Sequence, residues 1–286
     1  MTINDKIYQN ERELYNSNNL KLINCKFQGK TDGESPLKES KNISLENCLI
    51  DLRYPFWHNL NIDITNCNLT INCRASLWYT KNIKIKDTLI DGIKAIRECS
   101  NIQILNTKIN SPEFLWKSKN IEINNCSLIS EYAFLESKNI QISNLTFQGK
   151  YSFQYTKNIK IINSNLDTKD CFWHCKNAVI KNCVIKGEYL AWYSNNLTFI
   201  NCKIIGTQPF CYCKNLKLIN CEMIDADLAF EYSNVKAKLI GDIESIKNPR
   251  SGYIFVNNVN NLILTSNSKY KNRCKIHYKK CNNLTK

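Results

Sequence analysis

Apolar and polar residues alternate along most of the chain in short runs, and the runs recur. A unit reading N-I-x-I-x-N-C-x-I has its first Asn at Asn42, Asn61, Asn82, Asn101, Asn120, Asn139, Asn158, Asn177, Asn196, Asn215 and Asn234. From Asn82 to Asn234 every step is 19 residues; the earlier steps, counted from Asn19, are 23, 19 and 21. Within the unit the apolar residues stand two apart, as in Ile83/Ile85, Ile102/Ile104, Ile121/Ile123, Ile140/Ile142 and Ile159/Ile161. A period of two places both on one face of a strand, whereas a helix needs spacings of three and four.

A short, strand-rich repeat predicts an all-β chain coiled as a parallel β-solenoid, one rung per repeat and about three short strands per rung. Rungs stack at about 4.8 Å, the inter-strand distance of a sheet. Inward Ile and Leu then form ladders, each buried side chain worth roughly 1.5–3 kcal/mol. The recurrent Asn suits a tight turn, where its amide bonds exposed backbone and the Asn of the next rung; this is a structural role. Six residues later, Cys25, Cys48, Cys67, Cys126, Cys183, Cys202 and Cys221 share a column with Thr88, Thr107 and Ser164. Buried Cys behaves as a small hydrophobe, so the column is expected to face inward.

Regular rungs are expected over 19–239, about 12 in all. Residues 5–16 are expected to form a short helix carrying Ile7, Leu14 and Tyr15. It would lie within an N-terminal cap, residues 1–18, that blocks edge pairing. Residues 240–286 read as irregular last rungs plus a polar, Lys-rich tail. The length alone suggests two domains, but no Pro/Gly linker interrupts the repeat, so 1–286 reads as a single domain.

The segment before each leading Asn is aromatic: PFWH, SLWY, AIRE, FLWK, AFLE, SFQY, CFWH, LAWY, PFCY, AFEY. One column is apolar (Phe56, Leu77, Ile96, Leu115, Phe134, Phe153, Phe172, Ala191, Phe210, Phe230) and is expected inside. The next holds all five tryptophans, Trp57, Trp78, Trp116, Trp173 and Trp192, together with Arg97, Leu135, Gln154, Cys211 and Glu231. Buried charges would lack water, so this column is expected to face out; a kink that reversed the alternation would bury it instead. Outward ring faces would suit a sugar chain or a protein partner. The following column contains His58, Tyr79, Glu98, Lys117, Glu136 and His174.

Charge adds a second possibility. Lys plus Arg number 39 against 25 Asp plus Glu, a net charge of +14, which suits a polyanion such as nucleic acid. Lys119, Lys138, Lys157 and Lys176 precede the leading Asn on consecutive rungs and form the candidate ladder. Arg53 and Arg74, near Trp57 and Trp78, are the best small cluster for a carboxylate or phosphate. The same basic excess is also what coding from an AT-rich genome produces.

Catalysis finds less support. A glycosidase needs two carboxyls about 5–9.5 Å apart. Glu98 and Glu136 lie two rungs apart, roughly 9.6 Å, but Lys117 stands between them. No nucleophile, metal or cofactor motif occurs. The 15 cysteines are an odd number without an export signal, and are expected to be free thiols. The polar N-terminus lacks a signal-peptide pattern and no apolar run approaches a membrane span. The expected compartment is the cytoplasm, without membrane attachment.

The motifs RYPFWH (53–58), SPEFLWKSKN (111–120), EYAFLESKNI (131–140), DTKDCFWHCKN (167–177) and GEYLAWYSNNLTFINC (187–202) resemble the bacterial domain-of-unknown-function family 3737 over essentially the whole length. The resemblance implies a single-stranded right-handed parallel β-helix of the pectin-lyase-like kind. It implies fold and little function. The wider group includes polysaccharide lyases and hydrolases, but the polygalacturonase pattern N-T-D … D-D … G-H-G … R-I-K is absent. Rungs this short also leave little room for the long loops that build a cleft in those enzymes. Three readings follow. The first is a non-catalytic scaffold binding a glycan or protein along the aromatic strip. The second is an enzyme on acidic sugars with Arg53, Arg74 and Glu98 near the chemistry. The third is a nucleic-acid binder using the Lys ladder.

Overall fold

A computed structural model of the chain describes residues 1–29 and 34–285. The regular structure among them is all strand, with no helix. The chain groups into two compact units, Met1–Thr146 and Phe147–Lys286. Each is a parallel β-solenoid, and together they hold about 15 turns spaced at about 19 residues. That exceeds the expected 12 because both ends of the chain supply rungs.

A representative rung has a six-residue strand, Lys81–Lys86, then Leu89–Ile90, then Ile96–Arg97. Its inward residues stack in register on the next rungs: Ile83 on Ile102 and Ile102 on Ile121, Ile85 on Ile104 and Ile104 on Ile123. In the second unit the same ladder reads Ile159, Ala178, Leu197, Leu216. All are buried.

The chain bends where Asn adopts positive φ, as at Asn101 and Asn106. Asn tolerates this region because its short polar side chain bonds locally. Neighbouring amides form the expected ladder. Asn61 Nδ2 donates to Asn42 Oδ1 at 2.7 Å, Asn82 to Asn61 at 2.7 Å and Asn101 to Asn82 at 2.8 Å. In the second unit Asn196 donates to Asn177 at 2.9 Å and Asn215 to Asn196 at 2.8 Å.

The Cys column is buried, as are Thr88, Thr107 and Ser164. These side chains also accept backbone hydrogen bonds: Cys48 N–H donates to Cys67 Sγ at 3.3 Å and Cys67 N–H to Thr88 Oγ1 at 3.2 Å. A second buried column does the same at the aromatic corner. It contains Thr80, Cys99, Ser118 and Ser137 in the first unit and Cys175, Ser194, Cys213 and Ser233 in the second. Corner residues such as Leu115 (φ 54°) and Phe172 (φ 60°) leave the strand conformation, so their backbone needs partners that the ladder does not supply. Ser118 N–H donates to Ser137 Oγ at 2.9 Å, and Ser137 Oγ–H donates to Leu115 O at 2.6 Å.

Both ends correct the sequence reading. Residues 5–16 are not helical: Thr2–Asn4 and Ile7–Tyr8 are strands that pair in parallel with Asn18–Ile23 and Lys26–Phe27. The Tyr8 ring stacks on Phe27 with centroids 4.9 Å apart. An isolated 12-residue helix is marginal in water, whereas a rung satisfies its backbone on the neighbouring strand. Thr2–Asn4 and Ile7–Tyr8 therefore extend the parallel strands in place of the expected helix. The expected tail is also strand. Arg273–His277 pairs with Ser251–Phe255, and Lys280–Thr285 with Asn258–Ile263.

All 15 cysteines are free, 13 of them buried. Burial pushes the Cys99, Cys175 and Cys211 thiols up to about 12. A thiol needs its thiolate to react. Thirteen of the thiols are also out of a reagent's reach, and burial pushes Cys274 up to about 11. Thiol titration with a disulfide reagent at pH 8 is therefore expected to find at most two reactive groups, Cys281 first and Cys274 more slowly, and the rest only in denaturant. Rapid reaction of more than two would mean that rungs open in the native state.

Candidate functional site

The aromatic corner takes the outward arrangement. The apolar column is at most 1% exposed, while the tryptophans are half-buried. Every indole N–H is already used. Trp57 donates to Ala75 O at 2.7 Å, Trp78 to Lys94 O at 2.8 Å and Trp116 to Tyr132 O at 2.7 Å. Trp173 donates to Tyr189 O at 2.7 Å and Trp192 to Gln208 O at 2.8 Å.

Their faces are largely covered as well. Trp57 and Trp78 stack with centroids 5.0 Å apart at 2°. Lys38 lies over Trp57 at 5.8 Å, and Arg97 over both Trp78 (5.0 Å) and Trp116 (5.7 Å). In the second unit Trp173 and Trp192 stack at 5.5 Å and 9°. The strip therefore presents ring edges, and its stacking stabilises successive rungs.

The remaining sequence-selected residues fall nearby but do not converge. His58 stacks on Tyr79 at 4.8 Å, and His174 sits between Tyr155 (4.7 Å) and Tyr193 (5.2 Å) in the other unit. Arg53 pairs with Glu34 at 3.8 Å, so it already faces a carboxylate. Arg74 is exposed. Glu98 meets Arg97 at 3.4 Å, and Glu98, Lys117 and Glu136 are all exposed. Lys119, Lys138, Lys157 and Lys176 are exposed too. Lys157 and Lys176 are register partners, but Asn195 follows before Lys214. Towards Lys119 the column reads Lys41, Leu60, Lys81, Ser100, so the lysine column does not continue unbroken before Lys119 or after Lys176.

The site that the sequence reading passed over lies on the outer face of the six-residue strands of the first unit. A groove of about 810 Å³ runs along it from Asn42 to Asn139. One wall is the Asn ladder; the row beside it is Ser44, Asp63, Lys84, Gln103 and Glu122, each the register partner of the next. Gln103 Nε2 donates to Glu122 Oε2 at 3.2 Å, and Asp63 Oδ1 accepts from Thr65 Oγ1 at 3.3 Å. A second cavity of about 400 Å³ borders the same row on its other side, against Thr65, Lys86, Leu105 and Asn124. The signal was present: these residues stand two positions after each leading Asn, in the outward slot of the repeat.

Asp63 and Glu122 are three rungs apart, roughly 14 Å, beyond the spacing at which two carboxyls cooperate across a glycosidic bond. Among the described residues no group of three or more His, Cys, Asp or Glu is arranged to hold a metal ion.

Solved structures with related folds have low identity. The A-module of mannuronan C-5 epimerase AlgE4 from Azotobacter vinelandii matches at 9% identity over 82% of this chain and 88% of that chain, with a TM-score of 0.33. PfbA, a surface adhesin of Streptococcus pneumoniae, matches at 10% over 94% and 85%, TM-score 0.34. Tailspike protein 3 of bacteriophage CBA120 matches at 8%; the match covers 99% of this chain and 51% of the tailspike chain, TM-score 0.26. Likeness at this level carries no argument about what the chain binds. No curated protein matches the sequence. A family model does match residues 1–277, and the chain therefore belongs to the family described as protein of unknown function, DUF3737.

Proposed function

We propose that the protein is a non-catalytic binding scaffold whose ligand is an extended, hydroxyl-rich chain, an oligosaccharide, lying in the groove of the first unit. The groove carries this reading. It is within the size range of ligand sites but elongated over six rungs, about 24 Å, so it fits a chain rather than a compact metabolite. Its lining of amides, one hydroxyl and mixed charges supplies both donors and acceptors at every rung, which matches sugar hydroxyls. The tryptophan strip, with its faces occupied, is the weaker platform. The cytoplasm is part of the proposal, supported by 15 free thiols and the reducing conditions that keep thiols free.

A glycan array followed by calorimetry tests the proposal. A Gln103→Ala/Glu122→Ala variant is expected to bind the selected glycan at least about tenfold more weakly, the loss of two or more hydrogen bonds. A Trp57→Phe variant should bind as the parent does. No glycan bound by the parent chain would overturn the reading. Binding kept in the groove variant but lost in a folded Trp57→Ala/Trp78→Ala variant would move the ligand to the aromatic strip. Turnover of the bound glycan would make the protein an enzyme.

A further inference from the structure

The outward slots of the long strands change character in the second unit. Where the first unit places Asp63, Lys84 and Glu122, the second has Lys160, Val179, Thr198, Lys217 and Lys236 as successive register partners. The slot two residues on reads Ile162, Lys181, Ile200, Ile219 and Lys238. Both rows continue onto Ser251–Phe255 and Arg273–His277, where Lys236 meets Tyr253 and then Lys275, and Lys238 meets Phe255 and then His277. No Asp or Glu occupies either row, and none occurs in the sequence after Glu244.

Elsewhere in this unit four acids pair with lysines: Asp167 with Lys186, Glu188 with Lys169, Glu222 with Lys203 and Glu231 with Lys247. Among the described residues, Lys217, Lys236, Lys238, Arg273 and Lys275 have no carboxylate partner, and all five are exposed. Lysines in direct register repel one another, so the face favours a polyanion.

Aromatic rings stand within this charge. Phe255 is 43% exposed and stacks on His277 at 4.4 Å and 11°. Tyr253 lies 5.5 Å from Phe255 on the same strand. His277 covers one face of Phe255; on the other side its register partner is the flexible Lys238.

We propose that this face binds single-stranded nucleic acid, with phosphates on Lys217, Lys236, Lys238 and Lys275 and bases on Tyr253 and Phe255. Basic residues flanking aromatics on an open sheet face match a flexible strand that offers both charge and π-faces. A bilayer fits less well, because Val179 and Ile219 are shorter than the lysines around them and membrane docking needs apolar groups that reach past the headgroups. The inference is independent of the groove in the first unit.

Fluorescence anisotropy with labelled 15-nucleotide dT and U oligomers tests it, with polygalacturonate and phosphatidylserine vesicles as competing probes. Four phosphate contacts give an expected slope of log affinity against log salt of about −3. Lys236→Gln/Lys238→Gln should weaken binding about tenfold in low salt and flatten the slope by about 1.4. Tyr253→Ala/Phe255→Ala should also weaken binding about tenfold or more while leaving the slope unchanged. Circular dichroism checks that these surface variants fold. Absence of oligomer binding, or binding untouched by both variants, would overturn the proposal. Equal competition by polygalacturonate with no effect of the aromatic variant would reassign the face to an acidic glycan, and vesicle binding alone to a membrane.

Discussion

Ser137→Ala is expected to destabilise the unit Met1–Thr146 by about 2–5 kcal/mol. The hydroxyl is fully buried and serves two backbone groups at once, the Ser118 N–H and the Leu115 carbonyl. Removing it leaves both without the partner the structure gives them, at about 1–3 kcal/mol for each buried group. The lost volume is small, so cavity formation adds little. Ser137→Thr keeps the hydroxyl, and Thr80 already occupies the same column, where it donates to Phe56 O and accepts from Asn59 N–H. It should therefore cost less than half as much. Denaturant unfolding followed by tryptophan fluorescence and far-UV circular dichroism measures both. A loss under about 1 kcal/mol for Ser137→Ala would mean that water reaches the corner and replaces the hydroxyl.

The inward ladder was legible because a period of two is a direct consequence of strand geometry. Ile83, Ile85 and their register partners fall where the alternation puts them. The ends were less legible for the same reason. Ile7 and Tyr8 form a strand of two residues, too short for a period to be expressed, and the spacing of Ile7, Leu14 and Tyr15 resembles a helical face by coincidence. What decides the conformation is non-local: the backbone of Thr2–Asn4 bonds to a strand that starts at Asn18.

The second hydroxyl column had a readable signal, since Thr80, Cys99, Ser118 and Ser137 are all small and polar or polarisable. Its purpose was not readable, because it depends on the corner carbonyls turning inward. The tryptophan column could be placed on the surface from its mixture with Arg97 and Glu231. The mutual stacking of Trp57 and Trp78 required knowing that the ring planes lie along the rung direction. Likewise, the groove and the basic face need each outward slot to be read down the stack rather than along the chain. Asp63, Lys84 and Gln103 are unremarkable as neighbours in sequence and form a continuous row only through register.

Gly206→Ala is expected to cost the second unit at least about 3 kcal/mol, and its contrast with Gly241→Ala isolates the cause. Gly206 has φ 130°, and a Cβ there would lie 2.2 Å from the Gly187 carbonyl oxygen on the preceding rung. Gly187 is itself seated against Thr168 O, where a Cβ would lie at 2.1 Å. The two glycines thus mark a line along which successive backbones pack with no room for a side chain. The obstacle is backbone on a bonded rung, since Gly187 N–H donates to Ile205 O at 2.9 Å, so relief requires parting rungs and losing ladder bonds. Positive-φ strain of about 1–3 kcal/mol adds to that. Gly241 also has positive φ, 79°, but a Cβ there would meet nothing within 4 Å. Its substitution should cost only the conformational strain, about 1–2 kcal/mol. Parallel denaturant titrations of the two variants give the difference directly. Equal losses would show that the rungs yield at Gly206 without breaking their bonds, and that close backbone approach does not hold this stack together.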